Sequence, residues 1–339
     1  MALAPISLPL ALAASLIKTL PHTGSFHVAS TMEHSDHKAQ ARVPEQQDGG
    51  AQLPRSTIIV PSYNRPDALG RCLQALIEQD DGDFEVVVVD DGSATPLQGV
   101  CAPYGPLVRC IRQENAGPAK ARNRAVSEAR GRFLAFTDDD CRPRPDWLRR
   151  LREAHAGVDE RLVGGWVVNG LPDDMLATTS QELCDYLYDY FGARNGTMPF
   201  FTTNNMGCSK AEFERVGKFD ERFSTAAAED REFGMRWQDL GGELHFTEGA
   251  VVDHYHGMTL QKFLRQHWNY GRGAHRLHRI MSIKQLGNRK IEPFRFYRDL
   301  VFYPVRKNGM LALPRSIMMG LTQFAMVVGY AQERFRKTG

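Results

Sequence analysis

Three carboxylates in a row, Asp138, Asp139 and Asp140, follow the apolar run Phe133-Leu134-Ala135-Phe136. Adjacent like charges repel, so a fold gains nothing by collecting them unless something positive sits there. Clustered carboxylate oxygens suit a hard divalent cation, Mg2+ or Mn2+, bridging to phosphate oxygens. The competing reading is an acidic, solvated loop. The apolar run weighs against it, because open α/β sheets bind ligands outside the carboxyl ends of their strands. A second acidic pair, Asp90-Asp91, also ends an apolar run, Phe84 to Val89. A third, Glu229-Asp230, falls in the first turn of a predicted helix over 226–240, where the helix dipole favours negative charge and capping is the plain alternative to chemistry. His254 and His256 flank one residue; in extended backbone both rings face one side, a common way to present a metal ligand. Scattered histidines also serve simply as hydrogen-bonded surface residues.

The elements that must hold these residues read as an α/β pattern. Order is expected from Ser56. Thr57 to Val60 is a buried strand, and Pro61-Ser62-Tyr63-Asn64-Arg65-Pro66 a loop bracketed by prolines. Pro66 opens a helix through Leu76. Phe84 to Val89 is the second strand, 107–111 a weaker third, and Asn115-Ala116-Gly117-Pro118 opens a helix carrying Arg122. The strand into Asp138 follows. Apolar strands alternating with helices give a doubly wound mixed sheet with flanking helices. Its strand ends should gather Tyr63, Asp90, Arg122 and Asp138 to Asp140 around one crevice. Further on, helices are expected over 145–156, 175–191, 210–216 and 259–278. A strand is expected over 200–208 and two short ones over 244–246 and 250–252.

Bulk composition narrows the class. The chain has 339 residues, 42% apolar and 24% charged, with a formal net charge of +2, too small to argue for a nucleic-acid partner. Six scattered cysteines with no Cys-x-x-Cys pair argue against a zinc framework or a disulfide scaffold, and fit a reducing, cytoplasmic setting. Residues 1–54 read as a poorly ordered extension. Their apolar start is broken by Pro5 and Pro9, and no basic residue precedes it as a secretory signal would require. From Phe294 to Lys307 aromatic and basic residues alternate. The apolar stretch 311–330 contains Pro314, Arg315 and Gln323, which interrupt it as a membrane span. Residues 259–339 are therefore expected to form a helical tail that either touches the inner face of the cell membrane peripherally, through 294–337, or packs on the protein itself.

The ordered set of motifs carries more than any member. Ile59-Val60-Pro61-Ser62-Tyr63-Asn64-Arg65, Val88-Val89-Asp90-Asp91-Gly92-Ser93, Asn115 to Pro118 with Ala121-Arg122-Asn123, Phe136-Thr137-Asp138-Asp139-Asp140 and Glu229-Asp230 together resemble the family 2 glycosyltransferases of the GT-A fold. The resemblance runs from Ser56 to Gly273. It implies a transferase domain over 55–258, with the donor half reaching to about 143 and the acceptor half after it. It implies a nucleotide-sugar donor, with Pro61, Tyr63 and Arg65 in the donor-binding loop and Asp90 accepting from a ring N–H of the base. Arg122, Asp138 and Asp139 would lie by the donor. Asp138, Asp140 and His254 would hold Mg2+ or Mn2+, with His256 the runner-up ligand. Asp230 would be the catalytic base, with Glu229 beside it as the alternative.

Such a site implies inverting transfer of one sugar to an acceptor hydroxyl on a glycan or a lipid-linked molecule. Processive members carry Gln-x-x-Arg-Trp; the comparable place here reads Gln266-His267-Trp268-Asn269-Tyr270, which implies one sugar per encounter. Two alternatives are a sugar-nucleotide-forming nucleotidyltransferase and a catalytically silent binding protein. The first expects a glycine-rich basic loop where Pro61-Ser62-Tyr63-Asn64 stands. The second expects loss of Asp140 or Asp230, and both are present.

Overall fold

The computed structural model describes residues 53–192, 200–223, 225, 227–284 and 292–336. Apart from residues 53 and 54, the extension expected over 1–54 lies outside them, as do Ala226 and Lys337. Strands β1 (Ser56–Ser62), β2 (Phe84–Asp90) and β4 (Phe133–Phe136) are buried along their whole length. A strand covered on both faces should carry a near-continuous apolar run, and the side chains of that run should divide between two layers with period two. They do. Ile59, Val87, Val89, Leu134 and Phe136 enter one core, while Ile58, Val60, Val86, Val88 and Ala135 enter the other. Helices α1 (Pro66–Ile77) and α4 (Trp147–His155) cover the second face. Helices α3 (Pro118–Glu128), α5 (Met175–Phe191), α6 (Lys210–Val216) and α7 (Glu229–Asp239) contribute to the first.

With β3 (Val108–Arg112), β5 (Cys141–Pro143), β6 (Arg161–Asn169), β7 (Met206–Ser209) and β8 (Glu243–His254), the sheet runs in the order β3-β2-β1-β4-β7-β6-β8-β5. The pairings among β3, β2, β1 and β4 are parallel, so their carboxyl ends share one edge. The β4–β7, β7–β6 and β8–β5 pairings are antiparallel. A short helix α2 (Gln98–Cys101) leads towards β3.

Three expectations change. The strand expected over 200–208 is confined to β7; Phe200 and Phe201 are buried in the core instead. The two short strands near 244 and 250 are one strand, β8, because both ends pair with β6 and a bulge between Gly164 and Trp166 absorbs the mismatch. Helix α7 starts at Glu229 rather than near 226.

The C-terminal helices are α8 (Leu260–Lys284), α9 (Phe294–Asn308) and α10 (Leu313–Phe335). Phe296, Tyr297, Leu300 and Met319 join the core of the sheet domain, so the tail packs on the protein. Pro314 and Arg315 do not break helix α10, and by length and composition alone Met310–Phe335 is long and apolar enough to cross a membrane. Pro314 falls in the first turn, where its missing N–H costs no helical bond, and Arg315 Nε lies 3.1 Å from Glu182 Oε2. Helix α10 crosses α8 with backbones in contact: a Cβ on Gly271 would sit 1.9 Å from Met326 O, and one on Gly329 2.0 Å from Trp268 O. Gly271→Ala must push the helices apart. It should lower unfolding free energy by about 1–3 kcal/mol, read by denaturant titration; an unchanged midpoint would show that the crossing is loose.

Candidate active site

The triple-carboxylate cluster is reached directly from β4; Arg122 meets its first member and Arg65 the other two. Asp138 Oδ1 accepts from Arg122 Nη2 at 2.6 Å. Asp139 is fully buried; its Oδ2 accepts from Ser62 Oγ at 2.6 Å, and Arg65 Nη2 lies 2.6 Å from its Oδ1. Asp140 Oδ2 accepts from Arg65 Nη1 at 2.6 Å. His256 Nδ1 lies 3.1 Å from Asp140 Oδ2 and His254 Nε2 lies 3.3 Å from Oδ1. Burial pushes Asp139 up to about 7, with Arg65 pulling the other way. Burial would raise Asp140 too, but the contacts with His254 and His256 and the charge of Arg65 hold it well below the ordinary carboxylate range.

The histidines arrive by strand register. Cys141 of β5 pairs with His254 at the end of β8, and Tyr255 N donates to Asp140 O at 2.8 Å. The extended His-x-His segment turns both rings to one side, stacked with centroids 5.0 Å apart. Asp140, His254 and His256 thus present ligand atoms all within 4.8 Å of one another. One carboxylate and two imidazoles fit Mn2+, which takes nitrogen ligands beside oxygen, better than Mg2+, which keeps to oxygen. Asp138, expected among the ligands, is engaged by Arg122 and lies outside this trio.

The two acidic pairs elsewhere each divide their labour. Asp90 is buried, with Oδ1 accepting from Ser93 N at 2.8 Å and Oδ2 from Leu97 N at 3.2 Å and Arg112 Nη1 at 2.6 Å. Asp91 holds the loop before α3, accepting from Ala116 N and Gly117 N, both at 2.9 Å. Asn64, at φ 55°, ties the β1 and β2 loops by donating its N–H to Ser93 Oγ and accepting from Ala94 N. These roles of Ser62, Asn64 and Asp91 had no signal beyond the motifs they sit in. Glu229 Oε1 lies 3.2 Å from Arg122 Nη1, and its Oε2 accepts from Ala227 N at 2.7 Å. Asp230 Oδ1 accepts from Arg231 N at 2.8 Å. Burial, then the Asp230 charge, pushes Glu229 up to about 7, and burial also raises Asp230.

A cavity of 470 Å³ opens on Arg65, Arg122, Asp138, Asp140, Glu229, Asp230, His254 and His256 together. Pro61, Tyr63, Asp90 and Asp139 do not line it. Pro61 is buried in β1, and Tyr63 is half exposed beside it. Two arginines each set across two carboxylates, with Asp230 facing the cavity beside them, gather charged groups with shifted pKa values in one cleft, as functional sites do. Residues 57–217 match the profile of glycosyl transferase family 2.

Residues 57–217 form a family 2 glycosyltransferase domain. The glycosyltransferase AglE of Haloferax volcanii is 26% identical over 227 residues, covering 65% of this chain and 73% of that protein. A validoxylamine A glucosyltransferase of Streptomyces hygroscopicus subsp. limoneus is 29% identical over 232 residues, covering 59% of this chain and 51% of that one. Chondroitin synthase of Escherichia coli is 27% identical, over 58% of this chain and 34% of that protein. The chain therefore spans about half or less of the length of the latter two. A mannosyltransferase from Pyrobaculum calidifontis, solved with GDP-Man and Mn2+, superposes with a TM-score of 0.58 at 17% identity, covering 85% of this chain and 89% of that one. The transferase domain has the GT-A fold.

The buried Arg122 bridge ties the strand end to the start of α7. Arg122→Met keeps length but leaves Asp138 and Glu229 without their cation. The expected cost is about 3–5 kcal/mol of unfolding free energy, measured by denaturant titration. A cost below about 1 kcal/mol would mean that water already screens the bridge.

Proposed function

We propose that this protein moves one sugar from a nucleoside-diphosphate sugar to an acceptor hydroxyl by a metal-assisted, inverting displacement. The observation that carries this is the division at 229–230. Both acids line the cavity shared with Asp140, His254 and His256, but Glu229 is bound on both oxygens by Arg122 and Ala227 N, while Asp230 accepts from Arg231 N on Oδ1. Asp230 takes the acceptor proton as the hydroxyl attacks, and its raised pKa, caused by burial, makes it a better base than an ordinary aspartate. Glu229 and Arg122 hold the start of α7 and so position Asp230. A Mn2+ or Mg2+ ion held by Asp140, His254 and His256 would supply Lewis-acid stabilisation for the departing diphosphate. Asp138 and Arg122 face the donor from the cavity wall. The base would lie against Pro61 to Tyr63; for Asp90 to accept from it, half-exposed Arg112 must swing aside. Attack opposite the nucleotide inverts the anomeric centre with one base and no covalent intermediate.

Two variants separate these roles. Asp230→Asn should retain Mn2+-dependent binding of a nucleoside diphosphate by calorimetry but lower kcat roughly 10²- to 10⁴-fold. Asp140→Ala should lose the metal-dependent binding itself. In the wild type, kcat should fall on acidification with a midpoint above 3.8, because Asp230 must be ionised to act and burial raises its pKa. An active Asp230→Asn with a dead Glu229→Gln would exchange the two roles.

A second reading concerns location, on the cytoplasmic face of a membrane. Outside the faces that pack on α8 and α9, helix α10 exposes Ile317, Leu321, Phe324 and Val328 at helical spacing, with Arg334 and Arg336 at its end. An apolar stripe of this kind beside basic residues suits a headgroup–acyl boundary. Full-length protein should sediment with anionic liposomes, and the double variant Ile317→Glu, Phe324→Glu should not, at unchanged melting temperature. Equal sedimentation of both would leave α10 with a packing role alone.

A further inference from the structure

The same cavity also has apolar walls. Leu183 and Leu187 of α5, Phe296 and Leu300 of α9 and Met326 of α10 line it, all buried. Close-packed interiors leave few voids larger than a water molecule, so an apolar chamber continuous with a reaction site is space kept for a ligand. Several buried polar atoms on its wall lack a partner, Ser180 Oγ and Tyr188 Oη among them, and His267 lacks one at both ring nitrogens. His267 of α8 is 1% exposed, lies between the rings of Phe263 and Tyr270, and has neither ring nitrogen hydrogen-bonded. Leaving such a group unmatched costs free energy that native structures rarely give up without a ligand or water to recover it. Burial pushes His267 down to about 3, so the ring is neutral at physiological pH. A neutral imidazole offers one donor and one acceptor. That pair matches a hydroxyl, which both gives and receives, better than a carboxylate or an ammonium group.

We propose that the acceptor is an uncharged hydroxylated amphiphile, bound with a hydroxyl on His267 and its apolar part in the chamber between α5, α9 and α10. This rests on the transferase reading for the role of the ligand, but the site itself is defined by the chamber. A hydroxyl next to an apolar body occurs both in soluble glycosides and in membrane glycolipids. The wall answers to that chemistry and not to its source. His267 acts here as a positioning residue, since the acceptor's reacting oxygen meets Asp230.

The test is a calorimetric titration of the full chain, without donor, with methyl, butyl and octyl β-glucoside below their micelle concentrations. Affinity should rise up to about fourfold per buried methylene. Met326→Gln, a near-isosteric polar change, should flatten that dependence, and Leu187→Gln provides a second variant at a separate wall position. His267→Phe should weaken all three glycosides about tenfold with the chain-length dependence kept. Its melting temperature should be equal or higher, because an unmatched buried polar group is gone; a purely structural histidine would show the reverse. Chain-length dependence that is absent, or that survives both polar wall variants undiminished, overturns the proposal and assigns any binding to the outer stripe of α10. Dodecyl glucoside displayed in neutral phosphatidylcholine vesicles distinguishes a membrane-borne source from a soluble one. Nucleoside diphosphate binding with Mn2+, read in the same samples, fails independently if it is the transferase reading that is wrong.

Discussion

Three adjacent carboxylates at the end of β4 can be accommodated only if each finds compensating charge, and most of the site follows from where that charge comes from. Arg122 reaches Asp138 from α3, Arg65 reaches Asp139 and Asp140 from the loop after β1, and the two histidines reach Asp140 from the end of β8. Each compensating group belongs to a different element. The strand end is therefore the point at which β1, α3, β4 and β8 must agree in position. A buried carboxylate without its partner costs several kcal/mol, so the requirement is strict.

The compensation is also asymmetric, which is what leaves chemistry available. Asp139 is consumed by Ser62 and Arg65 in holding β1 to β4, and Asp140 is left facing the cavity with two imidazoles. The same asymmetry recurs at Asp90 and Asp91, where both acids organise loops, and at Glu229 and Asp230, where Arg122 engages the first and leaves the second. Arg122 links the two halves of the domain through one guanidinium, touching the strand end on one side and the start of α7 on the other.

The C-terminal helices are part of the site and not an appendage. Helix α8 brings Gln266, whose Oε1 lies 2.8 Å from His256 Nε2 and whose Nε2 donates to Tyr270 Oη at 2.6 Å. Helix α10 comes close enough to add Gln323 and Met326 to the cavity because glycines stand at both backbone contacts with α8. One helix thus has an inner face that shapes the cavity and an outer face that stays apolar and exposed.

The sequence by itself determined the parts that depend on near neighbours. Continuous apolar runs specified strands buried on both faces, prolines at 66 and 118 marked helix starts, and the acidic residues following β2 and β4 marked the functional edge. Those motifs in order were enough for the family and the GT-A fold. The tertiary structure decided which partner each acid meets. Nothing local distinguishes Asp139 from Asp140, or Glu229 from Asp230; the choice depends on which distant cation lands beside each. Arg65 is 75 residues from Asp140, and Arg122 is 107 from Glu229. The joining of two short strands into β8, and hence the pairing of both histidines with Asp140, likewise depended on β5 and β6 lying alongside. Backbone periodicity is written in adjacent residues, whereas the partner of a buried charge is set by packing across the whole chain.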